Sequence, residues 1–340
     1  MKRNRTFLSL LLIFTLIVLS LTSCQFGQDA STTEASSTEA PAKDPVTVRI
    51  GGLKGPTSIG MAKIMKDSQM GNASQDYAFT IAGSADELTP MLIQGKLDMA
   101  AVPANLAAVL YQKTQGKVMV LAINTLGVQY IVQKNGTPIE SVADLKGKTI
   151  YATGKGTVNE FVMQYLFAQN GLSADDVKIE WKSEPTEVVA QLKTSGEGVA
   201  MLPQPYVTIA QTQVSELKVA LSFEEEWGKL DTDSKLITGV MVVRKAFVEE
   251  HPEAVQSFMQ EYATSTAYVN EHPEEAAAWV TEFLGIPTPV ATKAIPNCNI
   301  SLIGGEEMKT ALSAYLSVLY GINPNATGGA LPQNDFYYLP

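Results

Sequence analysis

The chain has 340 residues, 45% hydrophobic and 18% charged, an ordinary composition for a soluble globular protein and enough length for two modest domains or one large one. Its formal charge is −10, and losing the three cations Lys2, Arg3 and Arg5 would take it to −13. So acidic a body argues against nucleic acid as a partner. Ahead of everything else stands an apolar run from Phe7 to Leu21, preceded by those cations. It has the build of a secretory signal peptide and is too short to span a bilayer stably.

Leu21-Thr22-Ser23-Cys24 closes that run with an aliphatic residue, two small residues and a cysteine. These four resemble the lipobox of bacterial lipoproteins, which implies removal of residues 1–23 and diacylglyceryl modification of Cys24. Two acyl chains anchor durably where one anchors marginally. Residues 25–45 are rich in Ser, Thr, Ala and Glu, with almost no large apolar side chain. They read as a solvated tether whose mean reach as a flexible coil is roughly 25 Å.

From Val46 onward, short apolar runs alternate with helical patterns. Strand patterns cover Val46–Gly51, Tyr77–Ala82 and Asp98–Val102, and helical ones cover Ser58–Lys66, Ala85–Gln94 and Asn105–Lys113. This order predicts an α/β fold with parallel strands. Pro90 predicts a kink or a later start in the second helix. A second copy opens near Lys148, where Leu192, Gly196, Ala200 and Pro203 answer Leu92, Gly95, Ala100 and Pro103. Strand Val46–Gly51 leads into Lys54–Ser58, and strand Lys148–Ala152 leads into Gly154–Thr157. Two similar α/β lobes are the simplest inference.

Val118–Lys134 lies between the copies and Leu236–Arg244 follows the second. Both are β-rich and long enough to pass from one lobe to the other, and side by side they would form a two-stranded hinge. Residues 245–320 are mostly helical by period and are placed back against the first lobe. The expected division is 46–124 with 241–340 as lobe 1, and 125–240 as lobe 2.

Catalytic and phosphate-binding sets do not assemble. With Cys24 lipidated, Cys298 has no partner, and it is either a small buried hydrophobe or a reactive thiol. His251 and His272 sit in His-Pro contexts that read as helix starts. Gly147-Lys148-Thr149 mimics the end of a phosphate-binding loop, but the glycine required five positions earlier is Val142. No zinc set, cofactor site or nucleophile-base pair can be built.

The body resembles the extracytoplasmic substrate-binding proteins of ABC importers, in the group with nitrate, sulfonate and taurine binders and thiamine-pyrimidine binders. The resemblance rests on GGLKGPTSIGMAKIM (51–65), LIQGKLDMAAVPANLAAVLY (92–111), VLAINTLGVQYIV (120–132), SVADLKGKTIYATGKGT (141–157), MLPQPYV (201–207) and AIPNCNI (294–300). It implies a periplasmic-binding-protein-like fold of type II, in which two α/β lobes close over a ligand in the cleft between them. It also implies a binding protein and not an enzyme: a monomer, held outside the cytoplasm by a lipid anchor in the cell membrane, that delivers its ligand to an ABC permease and its ATPase. An enzyme on the same fold, acting on a small heterocycle through Cys298 or the histidines, and a sensor lipoprotein are the alternatives.

In open α/β sheets ligands bind beyond the carboxyl ends of strands. Lys54, Gly55, Pro56, Thr57 and Ser58 occupy that place in the first copy, and Gly154, Lys155, Gly156, Thr157 and Asn159 in the second. Their glycines either admit close backbone approach to a ligand or simply make tight turns. Pro103, Ala104, Asn105, Gln204 and Tyr206 lie on the next loops, and Asn124, Thr125 and Thr238 at the proposed crossings. One helix N-terminus contributes about 0.3–1 kcal/mol to an anion, whereas micromolar capture needs about 8 kcal/mol. Direct hydrogen bonds and apolar burial must supply most of the affinity, for a small organic anion or a flat heterocycle. The Asn297-Cys298-Asn299 stretch either lines the cleft mouth or braces lobe 1.

Overall fold

The computed structural model describes residues 46–230 and 233–340, and the expected signal peptide, lipidated Cys24 and tether lie outside them. Eleven strands run in chain order: Val48–Leu53 (β1), Tyr77–Ala82 (β2), Met99–Pro103 (β3), Val118–Leu126 (β4), Gln129–Lys134 (β5), Thr149–Thr153 (β6), Lys178–Lys182 (β7), Gly198–Pro203 (β8), Leu217–Ser222 (β9), Ile237–Arg244 (β10) and Ile300–Ile303 (β11). They form a six-stranded sheet ordered β11-β4-β10-β3-β1-β2 and a five-stranded sheet ordered β7-β6-β8-β5-β9. This is the two-sheet α/β architecture that the alternating pattern predicts.

The duplication extends to register. β1 pairs in parallel with β2 and β3, matching Ile50 with Met99 and Gly51 with Ala100. β6 pairs in parallel with β7 and β8, matching Ile150 with Val199 and Tyr151 with Ala200, each position shifted by one hundred. In each sheet the fourth strand is antiparallel and comes from outside the copy: β10 sets Gly239 against Pro103, and β5 sets Gln129 against Pro203. The segments that exchange sheets run side by side, with Ile237 paired to Leu126 and Gly239 to Thr125.

Period-two alternation assigns each face of the larger sheet its helices. Ala100, Val102, Val240 and Val242 pack with Leu88, Ala107, Leu312 and Leu316. Met99, Ala101, Met241 and Val243 turn the other way, toward Phe247, Val255, Phe258 and Tyr262. The C-terminal helices therefore cover the larger sheet. Helices Pro252–Glu271 and Pro273–Leu284 start at His251 and His272, each with proline at the first turn. Helix Ala85–Ile93 does not start late. Glu87 accepts from the Ser84 N–H at 3.0 Å and fixes the start, and the helix runs through Pro90. The expected Ser58–Lys66 helix is broken into Pro56–Ile59 and Ala62–Gln69. Gly60, between them, lies tight against Ile300 and Thr266, and its carbonyl accepts from Ser265 Oγ at 2.6 Å.

A charged clamp closes the edge of the larger sheet where β3 begins. Asp98 is 1% exposed and accepts from Arg49 Nη2 at 2.6 Å and Arg244 Nη2 at 2.7 Å. Burial alone would raise its pKa, but these hydrogen bonds and the Arg49 N–H hold it below the usual carboxylate range.

Candidate functional site

The loops that follow β1, β3, β6 and β8 gather at the strands' carboxyl ends, beside the crossing. Two adjoining cavities lie there. The smaller, about 160 Å³, is lined by Pro103, Ala104 and Asn105 after β3, Ile237 and Thr238 at the start of β10, Gln129 at the start of β5, Asn159 and Tyr315. The larger, about 560 Å³, shares Pro103, Asn105 and Asn159 and adds Gly154, Gly156, Thr157 and Asn325. Residues carried by both sheets thus face one space. Asn105 and Asn159 bring two amides to its lining, and the Asn105 Nδ2 donates to the Ala326 carbonyl at 3.4 Å.

Turn chemistry shapes the far wall. Gly154 and Gly156 have φ of +86° and +76°, the left-handed region that glycine enters without penalty. A side chain at Gly154 would also strike Thr157 Oγ1, at 2.7 Å from its Cβ. Thr157 caps helix Val158–Gln169: its Oγ1 donates to the Gly154 carbonyl at 2.6 Å and accepts from the Asn159 N–H at 3.3 Å. The Gly156 N–H donates to Glu160 Oε2 at 2.6 Å. Two of the donors expected to meet an anion here, the Gly156 and Asn159 N–H groups, are thus engaged by side chains of the helix start.

The first-copy loop is arranged differently. Thr57 and Ser58 are buried, and the Asn124 amide donates to the Thr57 carbonyl at 3.1 Å. Asn124 and Thr125, in β4, are equally buried, and Gly239 lies so close that a Cβ there would stand 2.6 Å from Asn124 Oδ1. Ser58 Oγ, Asn124 Oδ1, Thr125 Oγ1 and Tyr262 OH are buried without a hydrogen-bond partner among the described residues. Burial raises the Tyr262 hydroxyl, and the nearby Asn124 amide opposes it without closing a well-formed bond.

Of the eighteen residues expected from sequence, these two cavities bring together Pro103, Ala104, Asn105, Gly154, Gly156, Thr157, Asn159 and Thr238. Gln204 lines a third cavity of about 500 Å³ with Tyr130, Glu224, Glu225, Asn297 and Asn299. Lys54, Gly55, Pro56, Thr57, Ser58, Asn124, Thr125, Lys155 and Tyr206 line none of the three. Lys54 and Lys155 are exposed, and Tyr206 packs against the apolar core of the smaller sheet.

Sequence reasoning missed Glu224, Gln129 and Tyr315. Glu224 Oε2 accepts from the Gly127 N–H at 2.8 Å, at the crossing itself. Burial raises its pKa, against the Gly127 N–H and Lys235. The asparagines around Cys298 serve the crossing. Asn299, at φ +46°, donates from Nδ2 to the Gly127 carbonyl at 2.5 Å, and its own carbonyl accepts from the Leu126 N–H at 3.0 Å. Tyr130 OH donates to the Asn297 carbonyl at 2.7 Å. Cys298 is fully buried, and burial pushes its thiol up to about 12, far from reactive. Among the described residues no group of three His, Cys, Asp or Glu can hold a metal ion, and no helix is long and apolar enough to cross a membrane.

Two sheets that exchange strands, with loops from both meeting at the crossing, define a two-lobed α/β binding fold. A sequence profile described as NMT1/THI5 like matches residues 78–276, and the chain belongs to that family. Comparison with curated proteins gives no match. Among solved structures, an ABC transporter protein from Parabacteroides distasonis superposes with a TM-score of 0.71 at 22% identity, over 86% of this chain and 98% of its own. The periplasmic aliphatic sulphonate binding protein SsuA from Escherichia coli gives 0.67 at 16% identity, over 87% and 93%. The periplasmic nitrate-binding protein NrtA from Synechocystis PCC 6803 gives 0.52 at 17% identity, over 73% and 69%. The fold is thus that of periplasmic binding proteins.

Proposed function

We propose that the chain is the extracytoplasmic solute-binding lipoprotein of an ABC importer. Residues 46–124 with 241–340 act as one lobe and residues 125–240 as the other, closing on a small molecule and presenting it to the permease. The observation that carries this reading is the pair of adjoining cavities whose walls come from both sheets, with Asn105 on one side and Asn159 on the other. Pro103, Ala104, Gly154, Gly156, Thr157 and Thr238 complete the site. Thr125 and Asn124 lie beneath it, with unpartnered oxygens that a shift of the crossing can serve.

The signal peptide, the lipidated Cys24 and the tether keep this receptor at the membrane, where its partner is concentrated. The family membership and the binding-protein fold support transport over catalysis, as do the sealed Cys298 thiol and the placement of both histidines at helix starts. A thermal-shift screen of the purified chain against a broad panel of small metabolites tests the reading. Saturable stabilisation by at least one compound, returned to solution unchanged, is expected. Turnover of that compound, or no stabilisation across the panel, contradicts it.

A further inference from the structure

The edge of the larger sheet opposite the cleft carries a second concavity. There β10 ends and β4 begins, with Arg244 paired to Val118, beside the end of helix Ala104–Lys113. The cavity has a volume of about 480 Å³, and its charged lining is Lys113, Lys117, Arg244 and Lys245 against the single carboxylate of Glu249. Such a concentration of cations stands out in a chain of formal charge −10.

Arg244 is held in place. Its Nε donates to the Leu97 carbonyl at 3.0 Å and its Nη2 to Asp98 at 2.7 Å. Asp98 also serves Arg49, so one carboxylate answers two guanidiniums and leaves a local positive excess. Lys245 stands 3.5 Å from Asp335, whereas Lys113 and Lys117 have no ion-pair partner among the described residues. Beneath the charges lie the buried Leu92 and Val118, and at the rim Ile93 is 50% exposed.

We propose that this cavity binds a phosphate-bearing anion that also carries an apolar portion. Arg244, held through Nε and Nη2, turns its Nη1 to a phosphate oxygen, the two unpaired ammonium groups add charge, and the aliphatic floor and rim suit the apolar part. The acidity of the whole chain does not forbid this, because charges beyond a Debye length of about 8 Å are largely screened at physiological salt. Val46 leads into β1 at this same edge, and the cleft loops lie at the other. The phosphate belongs either to a membrane lipid headgroup or to a soluble phosphate ester.

Calorimetric titration of the purified full chain at low ionic strength tests the site, with inorganic phosphate and dihexanoylphosphatidylglycerol below its micelle concentration as probes. Saturable one-to-one binding that weakens with added salt is expected for at least one probe. The Lys113→Gln/Lys117→Gln variant should weaken it on the order of tenfold or more, as loss of charge-assisted hydrogen bonds implies. Both lysines are exposed, so an unchanged melting temperature accompanies that loss. Tighter binding of the lipid assigns the site to a headgroup, and equal or tighter binding of phosphate assigns it to a soluble phosphate and overturns the apolar part of the proposal. Saturable binding of neither probe, or equal affinity in variant and wild type, overturns the proposal.

Discussion

Lys54–Ser58 after β1 and Gly154–Asn159 after β6 hold matching places in two sheets of matching register, yet they end in different surroundings. The second loop is a cavity wall, held by Thr157 and Glu160. The first has its Thr57 and Ser58 under the crossing, against Asn124 and Gly239. What separates them is the crossing strand beside each: in the larger sheet β10 brings Gly239 against Pro103 and close to Thr57, and in the smaller sheet the matching position of β5 is Gln129, against Pro203. Duplicated strands thus fix where a loop emerges, and later elements decide whether it meets a ligand.

The asymmetry reaches the opposite edge. Where β3 is preceded by the clamped Asp98, β8 begins with Gly198. Asp98→Ala should be the most destabilising change, leaving two guanidiniums without their acceptor. We expect a loss of about 3 kcal/mol, at the low end for a buried ion pair because Arg49 stays partly exposed. Because the folded state depresses the Asp98 pKa, this contribution is present above the unfolded value of about 3.9 and is lost as pH falls through the folded one. Denaturant titrations of both proteins from neutral to acid pH should converge at the acid end.

Gly239→Ala probes the covered loop, since the new methyl carbon would stand 2.5 Å from Thr57 Cγ2. Overpacking there should cost about 1–3 kcal/mol in denaturant unfolding. Gly154→Ala probes the open loop. Its left-handed backbone should cost about 1–2 kcal/mol, together with ligand affinity, whereas Gly239→Ala should act on affinity only through the crossing. If Gly154→Ala leaves both stability and affinity unchanged, the contrast between the loops fails.

The smallest effect belongs to Glu224→Gln. Burial raises the Glu224 pKa above its usual 4.5, so its contribution to stability is full below the unfolded pKa and is lost as pH rises through the folded one. Glutamine keeps an acceptor for the Gly127 N–H and carries no charge. The variant should therefore match or exceed the native protein at neutral pH, and lose that advantage in acid. Melting temperatures at pH 4 and pH 7.5 check the sign.

Much of this fold is legible in the sequence because strand pattern and duplication are local signals: Ile50 and Ile150 stand one hundred apart and so do their partners. The site is legible where a loop's own turn chemistry shapes it, as at Gly154 and Thr157. It is not legible where distant elements decide burial. Nothing near Thr57 announces that Gly239 will lie on it, and Glu224 sits in a Glu224-Glu225-Glu226 run that reads as solvated surface. Asn299 was visible as unusual company for Cys298, but its bond to Gly127 depends on a partner 172 residues away.

A cleft walled by both sheets predicts that one ligand touches both. Titrating a stabilising ligand into the native protein, Asn105→Ala and Asn159→Ala tests it most directly, because one asparagine follows β3 and the other follows β6. Each substitution should weaken binding on the order of tenfold, the loss expected when a buried polar contact goes unmade. Unchanged affinity in either variant would confine the ligand to one sheet and contradict the account.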